Sequence, residues 1–184
     1  MSTGPAWQFL PVTASNLHDL TALFEGRGGP RQCWCMVWRK DTDGKPGKAA
    51  ADDRRAALHG LAEAGQPIEL LGYSAGEPVA WCSLAPRGGF GKSLSGAGDE
   101  PGLWSLTCFF IRADYRRQSG FSALVGAAET HARVMGAHAL EAYPVDPDSP
   151  SYRFSGFLPK YEELGFTPVA RVGSRRHVVR KALV

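Results

Sequence analysis

Apolar and polar positions divide the chain into an alternation of strands and helices. The run Trp7 to Val12 reads as a first strand. Leu17, Leu20, Leu23 and Phe24 then recur at helical spacing, with Thr13 or Ser15 placed to cap that helix and Gly26, Gly28 and Gly29 to end it. Arg27 to Lys48 is broken by glycines and prolines yet holds Cys33-Trp34-Cys35-Met36-Val37-Trp38, so it reads as a structured loop. An alanine-rich helix over roughly Ala49 to Ala64 stops at Gly65, with Pro67 just beyond.

Ile68 to Tyr73 and Pro78 to Leu84 form two strands joined through Ala75-Gly76-Glu77. Arg87 to Gly102 is glycine-rich, without periodicity, and reads as a loop. Leu103 to Arg112 is apolar on both faces apart from Ser105 and Thr107, which predicts a central strand. A helix over about Ser119 to Met135 carries Leu124, Val125, Ala128, Ala132 and Met135 on one face and closes at Gly136. Ala137 to Tyr143 is a short strand, Leu158 to Leu164 a short helix, and Phe166 to Arg171 with His177 to Leu183 the last two strands. The order predicts a mixed α/β fold with one strand-helix-strand crossover near its centre.

Length and composition narrow the class. A chain of 184 residues holds one core, so residues 1–184 read as a single domain. Hydrophobic residues at 43% and charged residues at 21% fit a globular protein. The apolar run Ala6 to Val12 is interrupted by Gln8 and Pro11 and lacks a basic leader, so neither a signal peptide nor a membrane span is expected, and a cytoplasmic location is. Cys33, Cys35, Cys82 and Cys108 have no framework spacing and are expected as reduced thiols. A net charge of +3 is too small for a nucleic-acid partner, although Arg112, Arg116 and Arg117 cluster enough to suggest a local anion site.

That cluster lies in the junction Arg112-Ala113-Asp114-Tyr115-Arg116-Arg117-Gln118-Ser119-Gly120-Phe121-Ser122, between the buried strand and the helix after it. A helix start presents unpaired N–H groups and about half a positive charge. No acid occurs between Ser119 and Ala128 to neutralise it, and Ser119, Gly120 and Ser122 are small enough for a diphosphate to approach the backbone. The alternative is an ordinary capped helix with solvated arginines. Neither GxGxxG nor GxxxxGK[ST] occurs in the strand-loop-helix context that dinucleotide or triphosphate binding requires.

The segment Phe109 to Val125 resembles the acetyl-CoA-binding motif of the GNAT superfamily, Gln/Arg-x-x-Gly-x-Gly/Ala, and Tyr161-Glu162-Glu163-Leu164-Gly165-Phe166 is similar to that family's YExxGF segment. Aligned without a gap, Ser119 and Phe121 take the small positions; shifted by one, Arg117, Gly120 and Ser122 satisfy most of the pattern. The resemblance implies a GNAT-like mixed sheet of about seven strands, splayed between the Leu103 to Arg112 and Ala137 to Tyr143 strands, with helices on both faces. It implies acetyl-CoA as co-substrate, held by the backbone of Phe110, Ile111 and Arg112 and by Arg116, Arg117, Gln118, Ser119, Gly120, Phe121 and Ser122.

The reaction so implied is direct acetyl transfer to a primary amine of a small molecule, without a metal. Tyr161 falls where the family's general acid reaches the departing sulfur; the competing reading is a tyrosine that merely packs. Glu141 and Tyr143 share one face of their strand by two-residue alternation, and Glu141 is the candidate base unless an arginine or a backbone amide satisfies it. Trp34 and Trp38, four apart, would share a helical face as an aromatic wall for the acceptor, extended by Trp81 and Trp104, or else plug the core. Two other functions remain open at this level: a non-catalytic acyl-CoA sensor, and an acetyltransferase for a protein N-terminus or an aminoacyl-tRNA. A homodimer is compatible with the sequence.

Overall fold

The computed structural model describes residues 7–39, 49–91, 93–95, 99–116 and 119–183. Its strands are β1 (Trp7–Pro11), β2 (Glu69–Ser74), β3 (Glu77–Pro86), β4 (Leu103–Ile111), β5 (Ala139–Ala142), β6 (Thr167–Val172) and β7 (Arg176–Ala182). Its helices are α1 (Leu17–Glu25), α2 (Ala51–Glu63), α3 (Gly120–Val134) and α4 (Leu158–Glu163). The elements occur in the predicted order, with ends displaced by a residue or two.

One seven-stranded sheet has the order β1-β2-β3-β4-β5-β7-β6. Its single parallel pair is β4 with β5, joined by the α3 crossover; every other pair is antiparallel. Every residue of β2 is buried and β4 is buried along nearly its whole length, as their continuous apolar runs require. Edge strand β6 is exposed at five successive positions.

Each face of the sheet carries its own core. On one, Leu124, Val125, Ala128 and Ala132 of α3 and Tyr161 of α4 pack against Leu84, Trp104, Leu106 and Leu140. On the other, Leu20, Leu23 and Phe24 of α1 and Leu58 and Ala62 of α2 cover Leu71, Trp81 and Phe110. Each fully buried side chain of this size contributes roughly 1.5–3 kcal/mol.

Two irregularities of β4 set its shape toward the end of the strand. On the β3 side, Cys82 pairs with Phe109 but Leu84 pairs with Leu106, so β4 holds one extra residue across Thr107 and Cys108. Such a bulge interrupts the ladder and turns the strand. On the other side, pairing with β5 runs only from Leu103 to Leu106, so beyond Leu106 the two strands part.

The loop from Arg87 to Gly102 begins as a 3-10 turn over Arg87–Gly89. Arg87 is buried and donates to the carbonyls of Phe90 and Gly91 and to Ser95 Oγ, fastening that part of the loop to the sheet. All four cysteines are free. Among the described residues, no helix is long and apolar enough to cross a membrane, and no cluster of three or more His, Cys, Asp or Glu side chains could hold a metal ion.

Candidate active site

Where β4 leaves β5, its free edge faces a turn at Arg153–Ser155 and the start of α4, and a cleft of about 580 Å³ opens between them. Phe109, Phe110 and Ile111 supply one wall, Arg116, Ser119, Phe121 and Ser122 the end nearest α3, and Arg153, Phe154, Gly156, Phe157 and Lys160 the far wall. The volume lies within the range of small-molecule sites, and an unpaired strand edge offers N–H and C=O groups to an extended ligand.

The α3 end of the cleft is electropositive. Ser119 is the N-cap residue, in the left-handed region with φ 56°, and its side chain makes no capping hydrogen bond. No acid stands in the first turn, so the amides opening α3 meet no negative charge of the helix's own. Gly120 begins the helix against Trp7: a Cβ there would lie 3.0 Å from Trp7 Cζ2. Phe121 turns its ring onto Phe109, with 4.8 Å between centroids, while Ser122 faces the cleft. Ser119, Phe121 and Ser122 all line the cleft, so residues of both registers of the motif reach it.

Of the residues expected to hold the cofactor, Phe110, Ile111, Arg116, Ser119, Phe121 and Ser122 line the cleft and Gly120 lies beneath it. Arg116 Nε donates to the Ile111 carbonyl at 2.9 Å, tying the loop to the strand. Arg112 goes elsewhere. Its guanidinium pairs with Asp114 at 2.7 Å and Glu77 at 3.0 Å, its amide donates to Val79, and it borders a separate hollow of about 820 Å³ beside the end of α1. Arg117 and Gln118 lie outside the described residues. Arg153, Phe154, Phe157 and Lys160 were not anticipated: the turn of the first two has no periodicity, and Phe157 and Lys160, at the start of the expected α4, face the cleft only through their position opposite the parting strands.

Tyr161 is completely buried, edge-on to Phe121 and Phe166, and its hydroxyl donates to the Ser155 carbonyl at 3.1 Å. Burial, reinforced by the nearby Cys82 and Cys108 thiols, raises its pKa well above the usual phenol value, so it is fully protonated at neutral pH. Gly156, on the cleft wall, is in contact range of both Phe121 and Tyr161. The ring therefore packs behind Gly156, with its hydroxyl on the Ser155 carbonyl and outside the cleft lining.

Glu141 and Tyr143 do share a face, but neither opens onto the cleft. Tyr143 OH donates to Glu141 Oε1 at 2.6 Å and sits 2.6 Å from Ser105 Oγ, while Arg180 Nε donates to Glu141 Oε2 at 2.7 Å and Arg87 approaches to 3.7 Å. The Glu141 carboxylate is thus satisfied by arginines, the alternative left open by the sequence. Its charge in turn pushes the buried Tyr143 phenol further up.

The aromatic wall is corrected more heavily. Trp34 and Cys35 adopt positive φ, 44° and 49°, so the segment is no helix and positions four apart do not share a face. Trp34 is buried against Phe24, and Trp81 is buried with its indole N–H on Glu69. Trp104 packs on the opposite side of the sheet, near His131. Only Trp38 stays half-exposed, 6.1 Å from Tyr152.

Beneath the Trp34 loop lies a charged group that the sequence did not disclose. Glu69 and Arg39 are both buried; Arg39 donates to the Ile68 carbonyl and to Ser83 Oγ at 3.1 Å. Burial outweighs the arginine and pushes the Glu69 carboxyl up to about 8. Burial and the neighbouring Cys108 likewise raise Cys35 well above the usual thiol value, so it is no ready nucleophile.

This combination of a central crossover, parting strands and an unneutralised helix start defines an acyl-CoA-dependent acyltransferase fold. Residues 32–166 match the family model described as acetyltransferase (GNAT) family, and the chain belongs to that family: it is an N-acetyltransferase with acetyl-CoA as co-substrate. A search of curated protein sequences gives no match.

Solved structures with the same fold include a GNAT-family protein from Desulfovibrio desulfuricans, at 15% identity and TM-score 0.58 over 97% of this chain and 100% of that one. The PaiA N-acetyltransferase of Thermoplasma acidophilum, in complex with coenzyme A, gives 11% and 0.53 over 96% and 99%. YncA of Salmonella typhimurium, with its cofactor acetyl-CoA, gives 14% and 0.55 over 97% and 95%. At these identities the likeness concerns the fold.

Proposed function

We propose that this chain transfers acetyl from acetyl-CoA directly to a primary amine of a small molecule, in the cytoplasm, with the cofactor in the cleft beside β4. The observation that carries the reading is the meeting, in one cleft of about 580 Å³, of an unpaired strand edge with a helix start free of acids. The residues fit the group: backbone of Phe110 and Ile111 for the amide-bearing arm, and the opening turn of α3 with Arg116 and Ser122 for the diphosphate. Arg153 and Lys160 add positive charge on the opposite wall.

When bound, acetyl-CoA supplies a thioester, already activated toward an amine. The chain's own part is to align it, polarise its carbonyl and return a proton to the sulfur. The backbone of Phe110 and Ile111, on the cleft wall, serves the second task. Tyr161 serves the third: its phenol keeps its proton at neutral pH and lies beside Gly156 on the cleft wall. The acceptor approaches from the face that carries Trp38. No side chain is assigned as base, because Glu141 is already engaged by Tyr143 and Arg180.

A thiol-release assay over a panel of small amines tests this, alongside calorimetry with acetyl-CoA. Amine-dependent release of free coenzyme A is expected. Tight binding of acetyl-CoA with no release on any amine would replace the enzyme reading with that of a sensor.

A further inference from the structure

The turn from Tyr152 to Phe154 is a partition. Arg153 and Phe154 face the cofactor cleft, whereas Tyr152 turns the other way, over Arg176. Tyr152 does so from the left-handed region, φ 59°, a conformation that costs a non-glycine residue about 1 kcal/mol or more and persists only where the surroundings enforce it. Its ring meets Arg176, whose guanidinium lies 4.5 Å from the Trp38 ring centroid and 5.3 Å from that of Tyr152.

Arg176 is only 8% exposed and is held from behind, donating to the carbonyls of Leu94 at 3.2 Å and Ser93 at 3.0 Å. Each of those two nitrogens keeps a second N–H. In front lies a hollow of about 250 Å³ lined by Tyr152, Val172, Gly173, Ser174, Arg175 and Arg176. Asp146 lies outside that lining, its carboxylate 2.9 Å from His177 Nε2 and 3.7 Å from Arg171.

A fixed guanidinium at the floor of a small polar hollow, with a second arginine on its rim and no carboxylate in its lining, suits a carboxylate. We propose that this hollow is the acceptor's acid subsite, and that the acceptor is a small amine that also carries a carboxylate. The proposal rests on the reading of the chain as an acetyltransferase for small amines. It adds the end of the molecule that the transferred group does not touch, seated across the Tyr152 partition from the cofactor cleft.

The test pairs ω-amino acids, from glycine to 6-aminohexanoate, with their primary amides. Binding is followed in the ¹⁵N-labelled protein, and thiol release from acetyl-CoA is measured in parallel. The carboxylates should perturb the amide signals of Gly173, Ser174 and Arg175, and the best should bind about tenfold more tightly than its amide, the worth of one charge-assisted contact. Arg175→Gln, at an exposed position, should reduce that preference about threefold without changing the fold or acetyl-CoA affinity.

Equal binding or turnover of acids and amides, or signals that move only elsewhere, overturns the subsite and leaves the acetyltransferase reading intact. Carboxylate binding at the hollow with no thiol release on any amine does the reverse. Arg176→Lys, which keeps the charge but loses the planar fork, provides a second check: retention of the full acid preference would also overturn the proposal.

Discussion

Trp7 closes over Gly120. Its ring stacks on Phe9 and meets Tyr115 edge-on, both at 5.9 Å between centroids, and a Cβ on Gly120 would come within 3.0 and 3.1 Å of its Cζ2 and Cη2 atoms. An aromatic ring of the first strand therefore fixes where the third long helix begins, and with it the position of the amides that open the cofactor cleft.

Gly120→Ala should consequently weaken acetyl-CoA binding, although alanine is the better helix former by about 1 kcal/mol. Boxed in by Phe9 and Tyr115, Trp7 cannot yield freely, so the helix start must shift by a few tenths of an ångström. Calorimetry should show a Kd raised about threefold to tenfold, with partial recovery in Gly120→Ala/Trp7→Leu. Unchanged affinity in the single variant would mean that the ring moves aside.

Tyr161→Phe deletes a hydroxyl that donates to the Ser155 carbonyl. The lost hydrogen bond should cost about 1 kcal/mol of stability. If the phenol also returns the proton to the departing sulfur, kcat should fall about tenfold to a hundredfold while acetyl-CoA affinity stays within about twofold. A variant with wild-type kcat would reduce Tyr161 to a packing residue.

Most of the fold was legible because it is written in period and punctuation. Gly65 and Gly136 end their helices where expected, and the apolar run of β4 does occupy the sheet's centre. The acid-free start of α3 was legible for the same reason, because it is a local feature. The acceptor side was not. Trp34 and Trp38 read as one helical face only while the backbone between them is assumed helical, and two successive positive φ values at Trp34 and Cys35 break that assumption. Nor does any spacing announce that Arg39 is buried within electrostatic reach of Glu69, or that Arg87 and Arg180 converge on Glu141. Those pairs are made by sheet order and by loops folding back, which is long-range information.

Glu141→Gln tests how the convergence of Arg87 and Arg180 on Glu141 is balanced. Removing the charge takes a buried carboxylate from Arg180, at 2.7 Å, and from Arg87, at 3.7 Å, and should cost about 1–3 kcal/mol, because the amide oxygen can still accept from Tyr143. The melting temperature should drop by several degrees. The pH profile of the remaining activity should keep its shape, since the carboxylate does not reach the cleft; loss of a basic limb would restore Glu141 as the base.

Glu69 should leave a signature in stability against pH. Its folded pKa is raised from 4.5 to about 8, so the folded chain holds a proton there that the unfolded chain gives up. This contribution is complete below about pH 4.5, shrinks as the pH climbs, and is gone above about pH 8. Glu69→Gln, neutral throughout and still able to accept from the Trp81 indole, should flatten that part of the curve. Chemical denaturation at about pH 5 and about pH 9 should therefore show a larger loss of stability for the wild type than for the variant. Parallel curves for the two proteins would show that Arg39 holds the carboxylate ionised after all, and that the pair is folded as an ion pair throughout.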